Sequence, residues 1–354
     1  MVARGSASVF IGQELCQNGQ VINILQTMTT DLGAFHPRYN PTWLTGFPWI
    51  MKLRMRVIGN YSPQVVQCRR ILLEALTPEI DKRRSCASNN DLNWQRPDDM
   101  LQELVENATP PPGQDVYTFI MNQLLFLTFA SIHTTTENGT IVLYRLLQNP
   151  DVLNELLEEQ NDVLRQEVFT TIDPDKQQNG GNPSHVFTAD RIKKMTKLDS
   201  VCREALRLRS QFYELAHTNV TNQNIVLSNG TVIPPDGDVL INFWHNHHNK
   251  KEGKYNDVDS KHIDVNEYDD LAEFKPFRYV NTGYPSTKVG DDYLVFGEGK
   301  HACPGRWFAM QEIKTIVSVL IRDYDVRAAS DIVFPIGSPG LPFGKVTIVK
   351  RNIQ

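Results

Sequence analysis

Apolar residues over the first sixty positions recur at a loose spacing of three to four. Phe10, Ile11, Leu15, Val21, Ile24 and Leu25 predict helical pieces joined by turns. Pro37, Pro41 and Pro48 break any helix over 36–48. Residues 62–77 are amphipathic, with Val65, Cys68, Leu72, Ala75 and Leu76 on one side and Arg69, Arg70 and Glu74 between them, and Pro78 is the expected stop. Residues 83–114 are polar and end in Pro110-Pro111-Pro112-Gly113-Gln114, which predicts a mobile surface loop. The strongest helix signal covers 115–149. Asp115 suits the N-cap, the run from Tyr117 to Ile132 is apolar almost all round, and Asn149-Pro150 ends it. A helix of that kind is expected to be buried. A further helix runs from Val152 to about Val168. A Gln-, Asn- and Gly-rich loop follows at 170–187, and a helical passage then starts at Thr188 or Asp190 and reaches about Ser210.

From Asn219 the period changes to two. Ile225 and Leu227, then Asn229-Gly230, then Val232 and Ile233 predict a hairpin. Pro234-Pro235-Asp236-Gly237 turns into an apolar run from Val239 to Phe243. Residues 249–290 carry charge without periodicity and predict an irregular meander. A helical stretch spans Trp307 to Arg322, and short strands close the chain between Phe334 and Val349. The expected class is mainly α with small β-sheets (α+β).

The 354 residues, 40% hydrophobic and 22% charged, suffice for one large domain or two ordinary ones. A net charge of −5 gives no sign of a nucleic-acid partner. Cys16, Cys68, Cys86, Cys202 and Cys303 are scattered and odd in number, which argues against a disulfide scaffold and against a CxxC zinc site. No membrane span is predicted, and the segment after Met1 lacks the apolar region of a signal peptide.

Candidate chemistry concentrates at Cys303, in the run Phe296-Gly297-Glu298-Gly299-Lys300-His301-Ala302-Cys303-Pro304-Gly305-Arg306. Three glycines let the backbone come close to a flat ligand. Pro304 can open a helix, whose electropositive start stabilises a sulfur anion. A lone cysteine is ordinarily a small buried hydrophobe, but that reading leaves the glycine spacing unexplained. Glu204 and Arg207 stand three apart on one helix face and can pair, as many solvated surface pairs do. The run His245-Asn246-His247-His248 has no metal-ligand spacing and reads as a polar loop end.

The pattern Phe-x-x-Gly-x-x-x-Cys-x-Gly resembles the haem-binding loop of the cytochrome P-450 family. The resemblance implies that Cys303 is the axial thiolate of haem b, that Phe296 packs by the sulfur, that Gly297, Gly299 and Gly305 shape the loop and that His301 reaches a propionate. It implies a structural Glu204–Arg207–Arg278 cluster, with Arg278 supplied by Phe274-Lys275-Pro276-Phe277-Arg278. In the 115–149 helix, Ala130, Thr134 and Thr135 match the family's oxygen-activation motif, while Ser131 replaces its glycine and His133 its acid. Thr134 would bond back to the carbonyl of Ala130 and relay protons with His133 and Thr135; a core helix with a satisfied histidine is the plainer reading.

One partial domain over 1–354 is then implied. Roof helices and a loop occupy 1–114, the long central helix over haem 115–149, helices including the Glu-x-x-Arg pair 150–213, strands and meander 214–295, and the thiolate loop, its helix and terminal strands 296–354. No tryptophan carries an arginine or lysine four positions on, so the family's N-terminal portion, with one propionate contact and a membrane anchor, is expected to be absent. The implied activity is monooxygenation of a lipophilic small molecule held near Phe126, Phe129 and the 1–80 helices, in secondary metabolism such as terpenoid or indole alkaloid formation. It would consume O2 and electrons from an NADPH-dependent flavoprotein reductase docking by Lys300, Arg306 and Lys314. A full-length member would sit on the cytosolic face of the endoplasmic reticulum, and this chain is expected to be soluble or intracellular. An inactive truncated fragment and a thiolate-haem isomerase or peroxygenase are the alternatives.

Overall fold

A computed structural model describes residues 1–31, 48–88, 94–168, 186–209, 217–248, 271–335 and 341–351. The described chain is mostly helical with small sheets, as the pattern predicts. The proline-broken stretch before Pro48, the loop from 170 to 185 and the charged run from 249 to 270 lie outside the described residues. Contacts divide the chain into two compact units, Met1–Thr136 and Glu137–Gln354.

The first unit holds α1 (Val2–Leu15), α2 (Gly19–Asp31), α3 (Pro48–Tyr61), α4 (Pro63–Ser88), α5 (Met100–Asn107) and the start of α6 (Val116–Gln148). Its core gathers the predicted stripe Phe10, Ile11, Val21, Ile24 and Leu25 with Leu72, Leu76 and Ile80 of α4 and Ile120, Met121 and Leu124 of α6. Pro78 does not end α4, which runs ten residues beyond it. Losing one N–H and crowding the previous turn costs about 3 kcal/mol. Burial of Leu72, Leu76 and Ile80 on either side of the proline, and Arg83 locked to Asp99 at 2.8 Å and to Glu79 at 2.8 Å, offset that.

The polar stretch 83–114 is not wholly loop. Asp99 caps α5, its carboxylate accepting from the Gln102 amide at 2.8 Å, and Leu101 is fully buried. The capping pattern Asp-x-x-Gln was there to be read. Asp115 accepts from the Thr118 amide at 2.9 Å and so starts α6 where the sequence puts it. However, α6 is not buried all round. Phe126, Phe129, Ala130 and Thr134 form an exposed face in the described residues. Among those residues α6 alone is long and apolar enough to cross a membrane.

The second unit continues α6 into α7 (Pro150–Val168), α8 (Ala189–Lys194), α9 (Thr196–Arg207), α10 (Phe243–His248) and α11 (Arg306–Asp323). Three two-stranded antiparallel sheets accompany them: β1 (His217–Thr218) with β4 (Asp238–Val239), β2 (Ile225–Val226) with β3 (Val232–Ile233), and β5 (Tyr324–Ala328) with β6 (Val346–Lys350). The predicted hairpin pairs Ile225 with Ile233 and Val226 with Val232. The run Val239–Phe243 is not one continuous strand: pairing with β1 ends at Val239, Asn242 takes part in a β-bridge, and α10 begins at Phe243. One core built from α6, α7, α9 and α11, with Tyr293 and Phe296 added from the loops, holds the unit together, and Cys303 packs against it.

Candidate functional site

The loop from Phe296 to Gly305 is closed by its own backbone. The Cys303 amide donates to the Phe296 carbonyl at 2.7 Å, and the Gly297 amide to Leu294 at 2.8 Å. Gly297 sits at φ +69, and a Cβ there would come within 3.3 Å of the His301 carbonyl. Gly305 caps α11, and a Cβ on it would stand 3.9 Å from Cys303 Sγ. That is ordinary van der Waals contact, so only atoms beyond a Cβ could crowd the sulfur. Phe296 is buried, Cys303 half-buried, and Lys300 and His301 are exposed. His301 meets His217 of β1 edge to face, ring centroids 6.3 Å apart. A half-buried thiol next to a helix start, with nothing larger than hydrogen on Gly305 beside it, suits a soft donor to a flat metal macrocycle.

Behind the loop, α9 turns nearly every polar side chain inward. Glu204 is fully buried and accepts from Arg207 Nε at 2.7 Å and Nη2 at 2.9 Å. It also accepts from Arg278 Nε at 3.0 Å and the Lys275 amide at 3.0 Å. Glu204, Arg207 and Arg278 thus meet in one buried cluster. Asp199, Ser200 and Arg203 carry the same work further, and sequence reasoning missed them. Ser200 Oγ donates to the Pro276 carbonyl at 2.8 Å and accepts from the Tyr279 amide at 2.9 Å. Arg203 Nη1 donates to the carbonyls of Pro285 and Lys288 at 2.8 and 2.7 Å while its guanidinium lies 3.9 Å from the Tyr293 ring centre. Asp199 accepts from the Ser286 amide and from Lys314 Nζ, each at 2.7 Å. The available signal was spacing: Asp199, Arg203 and Arg207 repeat every fourth residue among apolar neighbours.

His247 is the other missed residue. It is not on a polar loop end but inside α10, 2% exposed. Leu294 N–H donates to its Nε2 at 2.7 Å, and its Nδ1 lies 3.1 Å from the Arg207 carbonyl. Nε2 therefore accepts, the proton sits on Nδ1, and the ring is neutral. Burial pulls its pKa down to about 4. Through Leu294 this imidazole ties the cluster to the base of the cysteine loop.

Two of the three basic residues expected on a docking face are otherwise engaged. Lys314 is buried against Asp199. Arg306 donates to the carbonyls of Cys303 at 2.8 Å and Thr287 at 3.1 Å. Lys300 alone stands exposed.

In the first unit, Thr134 Oγ1 donates to the Ala130 carbonyl at 2.7 Å, the back-bond the sequence suggested. Thr134 is exposed, His133 half-buried and Thr135 buried, so the two threonines meet different surroundings. Ser131, where the motif has glycine, is paired with Ser6 of α1, their hydroxyls 3.1 Å apart.

A closed cysteine loop at a helix start, with a buried Glu-x-x-Arg cluster behind it in a mainly helical fold, suits a haem-binding class of protein. The Cytochrome P450 family model matches residues 7–254 and 258–342, and the chain belongs to that family. It is similar to Cytochrome P450 monooxygenase 151 of Postia placenta, 26% identical over 92% of this chain and 59% of that protein. It is also similar to Cytochrome P450 monooxygenase olcJ of Penicillium canescens, 28% identical over 92% of this chain and 55% of that one. The chain therefore spans less than two thirds of these relatives' length. Its fold is similar to a retinoic acid-bound cyanobacterial CYP120A1, with a TM-score of 0.59 at 21% identity, covering 99% of this chain and 68% of that structure.

Proposed function

We propose that the chain is the haem-thiolate portion of a monooxygenase that inserts one oxygen atom from O2 into a lipophilic small molecule. The observation that supports this most is the loop itself, in which Cys303 is fixed by its amide and left uncrowded by Gly305. Cys303 would hold the iron of haem b, with Phe296 shielding the sulfur, Gly297 and Gly299 shaping the approach and His301 serving a propionate. When bound, haem with a thiolate ligand supplies O2 activation, because the electron-rich sulfur favours O–O cleavage.

The chain's own residues do the rest. The Glu204–Arg207–Arg278 cluster keeps the meander, and through it the loop, in one geometry. Ala130 keeps the middle of α6 slim, and Thr134 holds a proton at Oγ1, with its back-bond to Ala130 freeing the ladder locally. His133 can share that proton traffic, whereas the buried position of Thr135 suits packing. Phe126 and Phe129 offer apolar surface to a substrate. Electrons from NADPH would arrive through a flavoprotein reductase, with Lys300 at its docking face. A terpenoid or indole alkaloid substrate fits the resemblance to fungal members, and the relatives named above are fungal.

The test is reconstitution with hemin, an NADPH-dependent flavoprotein reductase and labelled dioxygen over a panel of lipophilic substrates. One labelled oxygen atom in a product, dependent on NADPH and reductase, is the expected result. Turnover with peroxide alone would favour a peroxygenase. Haem binding without any oxygen transfer would favour an inactive fragment.

A further inference from the structure

Four Asn-Gly pairs occur in the sequence, at 18–19, 138–139, 179–180 and 229–230. An asparagine followed by glycine is chemically labile, because no Cβ on the next residue shields the backbone nitrogen from the side-chain carbonyl carbon. In a folded chain the cost of freeing that unit locally decides whether it reacts. Asn179 lies outside the described residues. Asn138 is 7% exposed within α6, and its Oδ1 accepts from Arg209 Nη1. Asn18 caps α2, its Oδ1 accepting from the amides of Gln20 at 3.0 Å and Val21 at 3.3 Å. Freeing Asn18 unwinds the start of a helix anchored by buried Val21, Ile22, Ile24 and Leu25. Asn229 is anchored far less. It stands at the tip of the β2–β3 hairpin, whose strands are two residues each, and every residue from 221 to 232 is exposed. At the tip the Leu227 amide donates to the Thr231 carbonyl at 2.9 Å, and the Gly230 amide to the Leu227 carbonyl at 2.9 Å. The Thr231 amide donates to Asn229 Oδ1 at 3.0 Å. A two-stranded hairpin this short is marginal in water and opens at little cost.

We propose that Asn229 is a site of spontaneous deamidation. When the hairpin opens, the Gly230 nitrogen, its proton given up to solvent, attacks Asn229 Cγ. The N–Cγ bond forms and the Cγ–Nδ2 bond breaks. The Nδ2 group takes up a proton and leaves as ammonia. Water then opens the cyclic imide at one of its two carbonyls. Opening at Cγ gives aspartate, and opening at the backbone carbonyl gives isoaspartate. Neither step needs an oxidant or an enzyme. Each product adds one negative charge at the hairpin tip. Isoaspartate also routes the main chain through Cβ, which pulls Thr231 out of register with Leu227. The inference is independent of haem, since it rests on the hairpin alone.

The experiment is peptide mapping by mass spectrometry of the full 354-residue chain after incubation in mildly alkaline, isotopically labelled water. Conversion at Asn229 should exceed that at Asn18 and at Asn138 by about tenfold or more. Each converted residue should carry one labelled oxygen, and both aspartate and isoaspartate should be present. In denaturing urea the three sites should converge, since only the fold separates them. Conversion at Asn229 no greater than at Asn18 or Asn138 in the folded chain would overturn the proposal. So would aspartate without isoaspartate, because direct hydrolysis of the side chain would then replace ring closure by Gly230.

Discussion

Lowering the pH should destabilise the second unit through one imidazole. His247 is neutral by construction, since Nε2 accepts from Leu294 N–H at 2.7 Å and Nδ1 faces the Arg207 carbonyl at 3.1 Å. Protonation would set a positive charge in a buried site and cost the Leu294 bond. The pKa falls from 6.5 to about 4, chiefly through desolvation. The unfolded chain therefore takes up the proton first. The stability contributed by the neutral ring is complete above about pH 6.5 and drains as pH drops. It is gone below about pH 4, after a loss of roughly 3 kcal/mol at about 1.4 kcal/mol per pH unit. Carboxylates titrate over part of the same range, so the wild type must be compared with H247Q, whose amide oxygen can still accept from Leu294 but cannot charge. Urea unfolding followed between pH 4 and 7 should show the difference between the two curves shrinking by about 3 kcal/mol as pH falls. Parallel curves across that range would refute the reasoning.

Other perturbations follow from the same geometry. E204Q should cost about 3–5 kcal/mol in urea unfolding, because it leaves buried Arg207 without its counter-charge; a loss under about 1 kcal/mol would mean the cluster is no brace. G305V should cut haem retention by about tenfold or more, read from the haem-to-protein ratio, by pressing a branched side chain toward Cys303 Sγ. T134A should retain haem yet lower coupled turnover on the order of 10²-fold, with peroxide release rising; unchanged coupling would remove Thr134 from proton delivery.

Much of the fold was legible because local chemistry and tertiary packing agree. Asp115 begins α6 and Asn149-Pro150 ends it, and the Asn229-Gly230 turn closes its hairpin with Gly230 at φ +83. The misreadings share a cause: a local signal met a stronger distant one. Pro78 lost to the packing around it. His245–His248 looked polar, but α10 buries His247 because two backbone partners from residues 207 and 294 wait for it. The inward face of α9 was only half legible. A Glu-x-x-Arg pair announces itself, but Ser200 and Arg203 act on carbonyls about eighty positions away, and the sequence between gives no local sign of that. Lys314 misled for the opposite reason, since a lysine on an amphipathic helix is usually solvated and this one answers Asp199.

The account rests on sulfur ligation by Cys303, and the carbon monoxide difference spectrum of the reduced, hemin-loaded chain reads it most directly. A Soret band shifted strongly to the red, present in the wild type and lost in C303S, is the predicted result. Haem bound with an unshifted carbonyl band, or a red-shifted band that persists in C303S, would contradict it.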